Sequence, residues 1–107
     1  MPMSYDDACM IVLLESKLYA LRGAAAPSQF PQIGAQLDRL DPYTETADNI
    51  VLQQSDAQFA AAASALQPQI QPINAAIADI TQINNALTTT ANIIKDIIAA
   101  VGVIGGI

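Results

Sequence analysis

Ile73, Ile80, Leu87, Ile94 and Val101 recur every seven residues through the C-terminal third of the chain. Ile70, Ile77, Asn84, Ala91 and Ile98 form a second series beside them. Together they give the alternation of threes and fours that marks an apolar seam on a helix. The spacing predicts one unbroken helix over about 72–101, with an apolar side that must be covered. Asn84 stands in the seam where isoleucine or leucine is expected. Two readings of it stay open. Either it is a buried polar residue that fixes register and oligomer state, or the seam drifts, leaving Asn84 at its edge and Ile83 toward the core.

The rest of the chain also reads as helix. Ser4 is a suitable N-cap, with Asp6 and Asp7 in an acidic first turn. Ile11, Leu14, Leu18 and Leu21 then repeat at helical spacing, and Arg22 and Gly23 are suitable end residues. They predict a first helix at about 5–22. Ser28 can cap a short helix at about 29–40, with Pro31 in its first turn and Phe30, Ile33, Leu37 and Leu40 as its stripe. Asp41-Pro42 predicts a boundary, because the residue before a proline avoids helical geometry. A third helix over about 42–66 follows, carrying Ile50, Val51, Leu52, Phe59 and Leu66 among many alanines. Pro68 and Pro72 predict a tight reversal before the last helix, since each costs about 3 kcal/mol in a helix interior. A kinked continuous rod is the alternative. Gly102 closes the last helix, and the apolar 103–107 is not a typical solvated tail.

These elements predict an all-α fold: a helical bundle built on a long antiparallel hairpin, with the two N-terminal helices packed along it. At 107 residues the chain is one domain.

Composition narrows the function by exclusion. The net charge is −6, and the only basic residues are Lys17, Arg22, Arg39 and Lys95. Nucleic acid is excluded as a partner, because phosphate binding needs clustered cations. There is no histidine and a single cysteine, so no zinc site of ordinary type can form in one chain. Glu15 and Glu45 are the only glutamates, too few for a di-iron bundle site. The pairs Asp38/Asp41 and Glu45/Asp48 lie at i,i+3 spacing and read as solvated faces. No serine or threonine has an evident base, and no glycine-rich phosphate loop follows a strand. The expectation is a protein that is not an enzyme and holds no cofactor or metal. Cys9, among apolar residues, reads as a buried inert thiol. The chain has no tryptophan and so lacks the Trp-x-Gly turn that marks small exported hairpin proteins.

No signal peptide is expected at 8–14, where acidic rather than basic residues precede a short apolar run. The run 97–107 is too short for a transmembrane span. The chain is expected to be cytoplasmic or exported by a route without a signal.

Charged residues make up only 13% of the chain, against about 25% in typical domains. With long apolar faces, that predicts an interaction or structural protein whose partner is protein: a copy of itself, another helical chain, or a larger assembly. The residues expected to carry the contact are Ile73, Ile77, Ile80, Asn84, Leu87, Ile94, Ile98, Val101 and Ile104. The alternative is a membrane-active protein that inserts the apolar segment Ile93 to Ile107, through Ile93, Ile94, Ile97, Ile98, Val101, Val103 and Ile104.

Overall fold

The computed structural model describes residues 3–102. They form a helical bundle of four helices without strands: α1 (Tyr5–Ala24), α2 (Phe30–Leu52), α3 (Asp56–Ala78) and α4 (Ile83–Val101). Short 3-10 turns, Pro27–Gln29 and Ile80–Gln82, precede α2 and α4. Helix α1 packs on both α2 and α3, and α4 packs chiefly on α3. The core centres on α1, where Ile11, Leu14, Leu18 and Leu21 are fully buried with Cys9.

The start of α1 follows from its cap. Ser4 is extended, and its Oγ accepts the Asp7 N–H at 3.1 Å. The end lies slightly beyond the predicted one, and Gly23 does not act as a left-handed cap. Ala25 and Ala26 turn extended instead, because the backbone just before Pro27 is forced out of helical geometry. Arg22 then lies over the Phe30 ring, 5.1 Å from its centre, and ties the end of α1 to the start of α2.

Two predicted boundaries are corrected, both at prolines. Helix α2 continues through Asp41-Pro42, so the short helix at 29–40 and the start of a third at 42 are one element. Ile33, Leu40, Tyr43 and Ala47 lie buried along one stripe that crosses the proline. Breaking the helix there would turn half of that stripe away from α1. Pro42 itself is exposed, so the bond it cannot donate is lost on the wet side, where water replaces it. The Thr44 hydroxyl also donates to the Asp41 carbonyl at 3.0 Å. Helix α3 likewise runs through Pro68 and Pro72, where the reversal was predicted. These prolines are four apart and share a face, while Ile70, Ile73 and Ala76 are buried on another.

The real breaks lie at side-chain caps. At Ser55, the Oγ accepts the Gln58 N–H at 3.1 Å, and the Gln58 Oε1 accepts the Ser55 N–H at 2.9 Å. This reciprocal box starts α3, in the middle of what was predicted as one helix over 42–66. At Asp79, a carboxylate oxygen accepts the Thr81 N–H at 3.2 Å and its hydroxyl at 2.7 Å. Asp79 is extended, and the expected rod over 72–101 is therefore two pieces joined by a turn. The hairpin of the bundle is α3 with α4, closed at 79–82 rather than at Pro68–Pro72.

Helix α4 ends at Gly102, whose φ of +86° is costly for any residue with a Cβ. The Gly102 N–H donates to Ile98 at 2.8 Å, and the Gly102 carbonyl accepts the Tyr43 hydroxyl at 3.0 Å. That last bond pins the end of α4 to the middle of α2.

Candidate interaction surface

The seam residues divide by where the turn at Asp79 places them. Ile73, Ile94 and Val101 are buried in the chain's own core. Ile77, Ile80, Leu87 and Ile98 are half-buried and pack against that core. Asn84 is exposed, and Ile83 is buried in its stead. The α4 stripe is Ile83, Ala86, Thr90, Ile94, Ile97 and Val101: it keeps Ile94 and Val101 of the first predicted series, while Ile83, Thr90 and Ile97 each lie one position before a member of the second. Of the two readings of Asn84, the edge position is the one observed. Ile104 lies outside the described residues. The heptad is thus largely spent inside the molecule, joining α3 to α4. Thr90, fully buried within it, satisfies its hydroxyl by donating to the Ala86 carbonyl at 2.9 Å.

The surface least covered lies elsewhere. No residue of α3 from 56 to 69 is buried. Phe59, Ala62, Ala63, Leu66 and Gln67 are half-covered, and Ala57, Ala60, Ala61, Ser64 and Ala65 are exposed. Leu52, at the end of α2 beside this half-helix in sequence, is 80% exposed. The sequence from 57 to 78 contains no charged residue, so the outward face of α3 is neutral from its second residue to its last. Along its C-terminal half a groove of about 600 Å³ opens toward α4. Pro68, Gln71 and Pro72 form one side of it, and Gln82, Asn85 and Thr88 the other. Its lining carries amides and hydroxyls and no charge. The exposure of α3 was not legible from composition, because alanine fits a buried face and an exposed one equally well.

Among the described residues, no group of three or more histidine, cysteine, aspartate or glutamate side chains is placed to hold a metal. Asp41 and Asp48 instead act on Glu15 across the α1–α2 contact. Burial first, and then the charges of Asp48 and Asp41, push the Glu15 carboxyl above its ordinary value. Cys9 is buried and takes part in no disulfide. No described helix is long and apolar enough to cross a membrane, and Ile94, Ile97 and Val101 face inward rather than outward. No known protein family, curated sequence or solved structure matches the chain.

Proposed function

We propose that the protein is a non-enzymatic helical interaction protein that associates with copies of itself, or enters a larger assembly, through the outward face of α3. The observation that carries this reading is the N-terminal half of α3, which is uncharged beyond Asp56, rich in alanine and without a single buried residue. A chain of net charge −6 repels its copies over most of its surface. Along 57–78 that repulsion has no local source. Small side chains let a second helix approach closely, and Phe59 and Leu52 supply larger apolar area beside them.

Sedimentation velocity with paired variants tests the proposal. Ala61→Glu puts a carboxylate in the middle of the face, and Asn92→Glu puts one on the exposed side of α4. The expected result is concentration-dependent association in the wild type and in Asn92→Glu, and its loss in Ala61→Glu. Equal behaviour of the two variants contradicts it, and a wild type that stays monomeric contradicts self-association and leaves only assembly with another chain.

A further inference from the structure

Asp6 and Asp7 in the first turn of α1, and Asp96 near the end of α4, line a second groove of about 380 Å³. It opens between α1, α3 and α4. Its floor is apolar: Met10 and Ile97 are each 4% exposed, and Ile93 continues the surface. No lysine or arginine lines it.

An apolar floor beside three carboxylates and no cation selects its occupant by charge. A second copy of this chain brings its own excess of carboxylates and is disfavoured. An anionic lipid surface is repelled for the same reason. The walls are helices, with no strand edge for an extended peptide to pair with. The volume lies near the lower end of the range for binding pockets, roughly 300–1,000 Å³, which suits a few large side chains. We propose that this groove docks a cationic amphipathic helix of a different protein. Large aliphatic residues one turn apart would sit against Leu66, Ile93 and Ala100, with Met10 and Ile97 closing the floor beneath, and flanking lysines or arginines would face Asp6, Asp7 and Asp96. The groove takes Leu66 and Gln69 from α3 but no residue of the stretch Ala57–Ala65 and not Leu52, so Ala61→Glu in sedimentation reads the self-association proposal and peptide binding reads this one.

The probe is a fluorescein-labelled Leu/Lys peptide whose leucines share one helical face, titrated against the full chain by fluorescence anisotropy. Its control has the same composition with the leucines scattered around the helix. The expected result is saturable binding of the first peptide that weakens as salt is raised, with the scattered peptide at least about tenfold weaker because it cannot fill the floor. Neutralising the rim in Asp6→Asn/Asp7→Asn/Asp96→Asn should weaken binding about tenfold, as expected for three solvent-facing ion pairs. Asp7 lies in the first turn of α1, so Gln69→Lys serves as a second variant that leaves that helix untouched. Gln69 is exposed and lines the same groove, and a cation there should weaken binding about threefold or more. Equal affinity for the two peptides, or affinity unchanged in Gln69→Lys, overturns the proposal.

Discussion

Glu15 faces two like charges across a helix contact, and its raised pKa has a definite sign for stability. The folded state holds the Glu15 proton more tightly than the unfolded chain does. Stability is therefore unpenalised in acid, where both states are protonated. It falls as pH rises through the unfolded value, and the penalty is complete above the raised folded value. Glu15→Gln should raise the melting temperature at neutral pH. Below about pH 4, near the ordinary glutamate value, the two proteins should converge. Thermal melts at the two pH values check this. Buried and exposed seam residues should separate as sharply. Ile94→Ala removes a fully buried side chain and should cost about 2–5 kcal/mol in denaturant unfolding. Asn84→Ala, on the exposed side, should stay within about 0.5 kcal/mol of wild type. Cys9 offers a probe of the same core: a thiol reagent should leave it unmodified until the bundle opens.

At the scale of the element, each helix boundary records a contest between a local signal and a buried stripe. Pro42, Pro68 and Pro72 all sit inside helices because Tyr43, Ile70 and Ile73 need unbroken register to stay buried. The local cost of a proline is real, so removing it where it faces water should be favourable. Pro68→Ala restores a hydrogen bond to the Ser64 carbonyl and should stabilise the fold by up to about 3 kcal/mol. Gly34→Ala in α2 should add up to about 1 kcal/mol, since a Cβ there meets no atom within 4 Å. Ser55→Ala should act in the opposite direction, by about 1 kcal/mol, through loss of the α3 cap. Denaturant titrations order the three.

The same contest explains what the sequence alone made legible. The helical character of every segment could be read from spacing, and the Ser4 cap from its acidic first turn. The Ser55/Gln58 box and the Asp79/Thr81 turn were present as patterns too, but each lay inside a longer run of helical spacing that masked it. The prolines pulled the predicted boundaries the other way, because a proline's cost is local while the stripe that outweighs it appears only when α1 is in place. For the surface, the isoleucine repeat pointed to the joint between α3 and α4. Exposure at Ala57, Ala61 and Ser64 depends on where α1 and α2 end, which no short pattern encodes.

On the scale of the whole molecule, the bundle measures 36 × 34 × 18 Å, so it is about two helices thick. In so thin a body, α1 covers only part of α3. Helix α3 is 23 residues long, and its buried residues all lie at or beyond Ile70. The remaining half is covered on one side only, at Phe59, Ala62, Ala63, Leu66 and Gln67, and helices shorter than about 12–15 residues are marginal in water on their own even when rich in alanine. Its stability should therefore depend on being covered. Hydrogen exchange at the amides of 59–66, measured as protein concentration is raised, tests this most directly. The account predicts protection there that grows with concentration while the Ile94 amide stays constant; protection at 59–66 that is the same at every concentration would contradict it.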